Sequence, residues 1–203
     1  MNLTTYPALL VKQVHELAEL IGFESRNKYE VQDPEGRAIA YAAEQSSGLG
    51  GTIARQFLGH WRRFDITLFD YHSRRPFLHA HHPFRWFFQR LEVRTEDGRY
   101  LGALQQRFAI FSKSFDVQDA HGRVVLKVSS PFWRIWTFKF THQGQQRAMI
   151  AKKWSGLLAE AFTDKDNFLV DYQDPQLDND TRMLLLAAAL FIDLQYFEKK
   201  ADS

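Results

Sequence analysis

The feature that most constrains the fold is a short unit that recurs along the chain. Each copy contains an alternating strand, a turn with Asp or Glu that ends in Gly-Arg, and a second strand. Three clear copies are YEVQDPEGRAIAYAAE, LEVRTEDGRYLGALQQ and FDVQDAHGRVVLKVSS, and looser copies place further starts near Phe64, Phe138 and Phe168. Glycine supplies the positive φ that a tight hairpin needs. The repeat therefore predicts six hairpins and roughly ten to twelve antiparallel strands.

A sheet of that width predicts a closed barrel, because strands twist and free edges are a liability. A barrel this wide has an interior that must be filled. The segment MLLLAAALFIDLQYF (residues 183–197) is apolar on all sides before Asp193, as a fully buried helix would be. Its length of about 24 Å matches that of strands of about seven residues, about 23 Å. We expect this helix to fill the barrel.

The same segment is too short to span a membrane. Its apolar run ends at Asp193 after about ten residues, whereas a spanning helix needs roughly 20. A buried, unpaired carboxylate is costly, so we expect Asp193 to have an Arg, Lys or hydroxyl partner on the barrel wall.

The domain organisation follows from these elements. Leu10, Val14, Leu17 and Ile21 are spaced as on one face of an amphipathic helix. We expect a single domain over residues 1–203 that is mainly β. A short N-terminal helix at about 7–22 precedes an antiparallel barrel at about 27–178 and a central helix at about 180–198.

Composition excludes several classes of protein. The 26 basic and 24 acidic residues are nearly balanced, which argues against a nucleic-acid binder. The absence of Cys excludes disulfides, thiolate chemistry and S-acylation. No phosphate loop, nucleophile elbow or zinc-protease motif occurs, so we expect no enzyme chemistry. No secretory signal is evident, which favours a cytoplasmic protein.

In a meander barrel the connections alternate between the two ends, so the Gly-Arg turns share one end and the longer connections the other. The longer ones include RQFLGHWRRF, HHPFRWFFQRL, RFAIFSKSF and SSPFWRIWTF. Trp with Arg is typical of a membrane interface, where rings lie at headgroup depth and cations meet phosphate. The predicted membrane-binding residues are Trp61, Arg62, Arg63, Arg85, Trp86, Phe87, Phe88, Trp133, Arg134, Trp136, Lys152 and Lys153. Each part of this prediction has an alternative. The aromatic side chains could fold inward and plug the barrel end, and Lys152 and Lys153 could simply be solvated.

Three segments resemble the phospholipid scramblases of the tubby-like superfamily (LURP-one-related). They are LIGFESRNKYEVQDPEGRAIAYAAEQ, KKWSGLLAEAFTDKDNFLVDY and LAAALFIDLQYFE, within residues 20–198. The resemblance implies a twelve-stranded barrel around a central helix. It also implies calcium-stimulated, energy-independent movement of phospholipids between leaflets at the inner face of the plasma membrane. Animal members carry palmitoylated cysteines in the long connections, where this chain has FRWFF and FWRIW. If membrane attachment is retained, aromatic insertion must replace the acyl chains here.

The resemblance also implies a calcium segment at Asp164, Asp166 and the acidic stretch to Asp178. Two carboxylates that are two residues apart in the sequence can supply oxygen ligands to a calcium ion from one loop. Leu169 stands where a calcium loop requires Gly, so any affinity is expected to be weak. The alternative is that these aspartates are turn and cap residues.

Three classes of function are open at this point. The chain is a scramblase-like protein at anionic phospholipid membranes, a lipid-binding or adaptor module that moves no lipid, or a barrel carrier of a small apolar ligand. A filled barrel disfavours the carrier, and the sequence does not separate the first two.

Overall fold

The computed structural model describes residues 1–14, 27–45, 63–83, 85–108, 112–131, 136–152 and 167–196. The strands in these ranges are β1 (Ala8–Gln13), β2 (Lys28–Gln32), β3 (Ala38–Gln45), β4 (Phe64–Asp70), β5 (Pro76–His82), β6 (Arg90–Thr95), β7 (Tyr100–Arg107), β8 (Ser112–Asp119), β9 (Val124–Pro131), β10 (Thr137–His142), β11 (Gln145–Ala151) and β12 (Asn167–Asp171). Helix α1 (Asn179–Tyr196) follows. Each strand pairs antiparallel with its sequence neighbours, and β1 pairs with β12. The predicted closed barrel of twelve strands is confirmed.

The Gly-Arg turns are built on one local pattern. In the β2–β3 turn the Asp33 carboxylate accepts the backbone N–H groups of Glu35 and Arg37, and the Arg37 Nε atom donates to it at 2.7 Å. The β8–β9 turn repeats this with Asp119 and Arg123, also at 2.7 Å. The Asp, Gly and Arg of the repeat thus close each turn by themselves.

The β6–β7 turn departs from this pattern in a way that positions the helix. Thr95 occupies the place of the aspartate, so the following Arg99 has no carboxylate at that position. Its guanidinium instead forms two hydrogen bonds to Asp180 in the first turn of α1, at 2.6 and 3.1 Å. This ion pair joins the start of the helix to the turn end of the barrel.

Helix α1 fills the barrel interior, as predicted. Its residues 183–194 are buried on all sides. The Phe191 ring contacts Phe64 of β4, His82 of β5 and Phe115 of β8, with ring centroids 5.6 to 6.3 Å apart. Because one side chain reaches strands from separate parts of the wall, the helix lies inside the barrel.

Arg182 closes the turn end of the interior. Its buried guanidinium donates hydrogen bonds to backbone carbonyl groups of the N-terminal segment and of the β12–α1 connection, and it lies 4.7 Å over the Tyr172 ring. The carbonyl acceptors are Leu3, Tyr6, Pro175 and Leu177. Burial, which outweighs the neighbouring guanidinium, raises the pKa of the Tyr172 hydroxyl, so this group stays a neutral donor to the Arg182 carbonyl.

The predicted N-terminal helix is wrong where the structure describes it. Residues 8–13 form β1, whose register with β12 pairs Leu9 with Val170 and Val11 with Phe168. Leu9 and Val11 belong to the main core, whereas Ala8 and Leu10 pack with Leu169 on the other face of the sheet. A run that is apolar on both faces lacks the alternation of a half-buried strand, so periodicity does not distinguish it from a helix. Residues 15–22 of the predicted helix lie outside the described ranges.

Asp193 has the kind of partners expected for it. The Tyr29 hydroxyl donates to its carboxylate at 2.8 Å, and the Lys152 ammonium lies 3.7 Å away. All three groups are buried. The network connects α1 to β2 and to the residue that follows β11.

We expect Asp193→Ala to lower the free energy of unfolding by about 3–5 kcal/mol, because it removes a buried carboxylate and leaves the facing ammonium in an apolar interior. The double variant Asp193→Leu with Lys152→Met keeps the volume and removes both charges, so it should recover most of this loss. Urea denaturation of the three proteins measures the effect. A single variant as stable as the wild type would show that the pair contributes nothing.

Candidate membrane-binding site

The described surface has one group of exposed aromatic side chains, which we call the aromatic rim: Trp86, Phe87, Phe88 and Phe108. Their exposed fractions are 58%, 81%, 46% and 76%. The first three lie in the β5–β6 connection and the fourth follows β7, so the strand order places all four at the same barrel end. The other large exposed apolar side chains of the described residues, Met1 and Val124, lie toward the end with the Gly-Arg turns. At Trp86, Phe87 and Phe88 the aromatics therefore face outward and do not plug the barrel.

Hydrogen bonds from glutamine side chains and backbone hold the rim in place. The Gln89 N–H donates to the Gln106 side-chain oxygen at 2.9 Å, and the Gln106 N–H donates to the Gln89 carbonyl at 2.8 Å. The Gln105 amide donates to the Phe88 carbonyl at 3.3 Å. Phe88 itself has a positive φ of 52°, which a bulky side chain rarely adopts. This backbone is fixed while its aromatic side chains remain in solvent.

Two of the predicted arginines border the rim region and are exposed. Arg85 directly precedes Trp86. Arg63 directly precedes β4, and its guanidinium lies 3.8 Å from the Asp65 carboxylate. Exposed guanidinium groups beside exposed rings are a suitable chemistry for contact with anionic headgroups.

The remaining predicted membrane contacts are placed differently. Trp136 is half-buried and packs against the main core. Lys152 requires a correction: its buried ammonium lies beside Asp193 and 5.2 Å over the Phe168 ring, so it faces the barrel interior and not a headgroup layer. Trp61, Arg62, Trp133, Arg134 and Lys153 lie outside the described residues.

A polar layer that the sequence did not predict lies inside the barrel beneath the rim. The Gln13 amide donates to the Asn27 side-chain oxygen at 3.2 Å, and the Asn27 amide donates to the Glu44 carboxylate at 2.7 Å. Across the interior, the Gln195 amide lies 3.4 Å from a His82 ring nitrogen. One feature of the sequence could have indicated this layer. Gln13, Glu44 and His82 alternate in step with the inward-facing apolar residues of their strands and lie next to long connections.

Of the three predicted calcium ligands, Asp164 and Asp166 lie outside the described residues. Asp178 accepts the Thr181 N–H through its carboxylate at 2.7 Å and caps α1. It follows β12 at the turn end, whereas Asn167, which succeeds Asp166 in the sequence, begins that strand at the other end. Among the described residues, no three His, Asp or Glu side chains are grouped to hold a metal ion.

We predict that Asp178→Ala lowers the free energy of unfolding by about 0.5–2 kcal/mol, because the first turn of α1 loses its capping acceptor. Asp178→Ser, which retains an acceptor, should cost much less. Thermal or urea denaturation separates the two variants. Equal stability of the wild type and Asp178→Ala would contradict the capping role, and a calcium-dependent change in stability that vanishes only in Asp178→Ala would show that Asp178 is a ligand.

Comparison with known proteins identifies the family. The family model for Scramblase matches residues 1–199. The chain is 31% identical to phospholipid scramblase 2 of Bos taurus over 97% of its length and 70% of that protein. It is 30% identical to phospholipid scramblase 1 of Rattus norvegicus over 98% of its length and 62% of that protein. The chain belongs to the scramblase family, and it spans less than two thirds of the rat protein.

The fold is also found in a solved structure. This chain aligns with the X-ray structure of an Arabidopsis thaliana protein over 93% of the length of each chain. The TM-score is 0.52 and the sequence identity is 13%. At this identity the likeness concerns the fold alone. No helix among the described residues combines the length and the apolar character needed to cross a bilayer.

Proposed function

We propose that this chain is a peripheral membrane protein that promotes ATP-independent movement of phospholipids between leaflets and has no enzyme chemistry. Membership of the scramblase family supports the class of activity. The observation that carries the membrane contact is the aromatic rim, four exposed rings at one barrel end with Arg85 beside them. We place the protein on the cytoplasmic side, at the inner face of the plasma membrane, and its barrel in the tubby-like superfamily.

The filled interior constrains how lipid could move. Helix α1 and the wall side chains pack the described barrel core, which leaves the outside of the barrel as the route for a headgroup. Rings inserted into one leaflet would disturb lipid packing around the rim. Movement of lipid would then occur beside the protein and not through it.

A second candidate function is a lipid-binding or adaptor module that binds the same membrane but moves no lipid. The packed interior favours it, since a helix-filled barrel offers no polar path for a headgroup. Reconstitution into liposomes with a leaflet-exposure assay, with and without calcium, distinguishes the two. A rate of lipid exchange between leaflets above that of protein-free vesicles supports scrambling. Binding to vesicles without such exchange supports the adaptor.

We predict that replacing Trp86 and Phe87 with Ser lowers binding to anionic vesicles by about tenfold or more, because each buried aromatic contributes about 1.5–3 kcal/mol. Their exposed position means that thermal stability should not change. Added salt should weaken binding of the wild type, since the arginine contacts are screened.

The matched control for this test is Val124→Ser, which removes an exposed apolar side chain near the opposite end of the barrel. It should bind vesicles as the wild type does. Lost stability with unchanged binding in the Trp86 and Phe87 variant would contradict the role of the rim.

Calcium belongs to this proposal through Asp164 and Asp166. Calcium takes six to eight oxygen ligands, so two carboxylates fill only part of its coordination shell. Phosphate oxygens of lipid could complete that shell. Calcium and anionic membrane would then raise each other's affinity by the same factor. Weak binding in the absence of lipid fits the lack of Gly at Leu169.

We predict that Asp164→Asn with Asp166→Asn abolishes the increase in calcium affinity that anionic vesicles produce. Isothermal titration calorimetry with and without vesicles measures it. Asp178→Asn, which keeps the cap acceptor, serves as a control that should leave the response intact. If the double variant keeps the wild-type response on membranes, the assignment is wrong and the two aspartates are turn residues.

A further inference from the structure

We infer that Phe108 and Phe87 are paired anchors on two adjoining hairpin tips, which enter the headgroup–acyl boundary of an anionic phospholipid leaflet as one rigid unit. The inference rests on the proposed membrane function and adds to it a second tip. Phe108 is nearly as exposed as Phe87, at 76% against 81%. Phe108 lies in the connection RFAIFSKSF but is not among the predicted membrane-binding residues.

The two tips are held together by the sheet itself. Strands β6 and β7 pair up to the partners Arg90 and Gln105. Beyond them, the reciprocal bonds between Gln89 and Gln106 extend the pairing to within two residues of Phe108. The Phe88 carbonyl is bound by the Gln105 amide, so the β5–β6 tip is fixed to β7. These bonds link the two tips directly through β6 and β7.

Each tip combines an exposed ring with an exposed guanidinium. Arg85 precedes Trp86 on one tip, and Arg107 precedes Phe108 on the other. The Arg107 guanidinium lies 3.2 Å from the Asp116 carboxylate, which orients it close to the end of β7. Rings at the boundary with arginines at phosphate depth are the arrangement that an anionic lipid surface selects.

The surroundings of the exposed rings suit a lipid leaflet. The rings lie on two connections, and glutamine side chains and backbone groups are hydrogen-bonded at their base. A leaflet can take up the rings while its headgroup layer hydrates this polar base. The second tip is already positioned when the first inserts. Its insertion therefore costs little additional conformational entropy. Loss of either ring should weaken binding by about tenfold, and the two losses should multiply.

The test uses the absence of cysteine in the chain. Single variants Phe108→Cys, Phe87→Cys and Val124→Cys are labelled with a polarity-sensitive fluorophore and mixed with vesicles of phosphatidylcholine and phosphatidylserine. Labels at positions 108 and 87 should shift to shorter wavelength and be quenched by lipids that carry a quencher on the acyl chain. The label at position 124, near the opposite end, should do neither. In parallel, Phe108→Ser and Phe108→Leu are compared by vesicle co-sedimentation and urea denaturation.

The outcomes separate this inference from the function on which it rests. An inserted label at position 108, with about tenfold weaker binding of Phe108→Ser at unchanged stability, supports the second tip. A wild-type protein that does not bind vesicles overturns both proposals. Wild-type binding with a solvated label at position 108 overturns the second tip alone. If Phe108→Ser alters the oligomeric state in solution but leaves vesicle binding intact, the surface is a protein interface and the inference is wrong.

Discussion

The structure depends on filling the interior of a twelve-strand barrel. A wall of this width leaves a space that short side chains cannot close, and an empty apolar space forfeits packing contacts. Helix α1 occupies it, and charged side chains hold each end of the helix in place. Arg99 and Arg182 fix the beginning of the helix, and Asp193 fixes its last turns to Tyr29 and Lys152.

The same arrangement makes the two ends of the molecule chemically different. At the turn end, Asp33, Asp119 and Arg182 have their hydrogen bonds supplied within the protein. At the rim end, the inward positions Gln13, Asn27 and Glu44 are polar, and the exposed positions carry aromatic rings. A filled core disfavours the carrier of a small apolar ligand. The proposed membrane contact rests on this asymmetry more directly than on the barrel as such.

Sequence reasoning succeeded where local chemistry determines local structure. The Asp-x-x-Gly-Arg turns and strand alternation gave the hairpins, and the cost of burying Asp193 gave the kind of partner it needs. It failed at β1, where Leu9 and Leu10 are buried on opposite faces and leave no period to detect.

The other differences depend on contacts between residues far apart in the chain. Lys152 follows β11 and looks like a surface lysine until the closed barrel brings it to Asp193, 41 residues later in the sequence (193 minus 152). Arg99 belongs to a repeat whose other arginines are bound within their own turns, and only the threonine at position 95 indicates that it is available to α1. Phe87 and Phe115 are both aromatics near long connections, yet one is exposed and the other contacts the helix. Such distinctions come from strand register, which a single sequence does not specify.

The rim is also where the structure departs from local energetic rules. Phe88 adopts a left-handed backbone conformation, a cost of about 1–3 kcal/mol for a residue of this kind. The next residue, Gln89, has a buried side-chain oxygen without a hydrogen-bond partner among the described residues. Large exposed rings add a risk of aggregation that a soluble barrel could avoid with polar substitutions. Natural sequences retain such features mainly at functional sites, and here they coincide at the barrel end where aromatic and cationic side chains meet. That coincidence supports the proposed role of the rim in membrane contact.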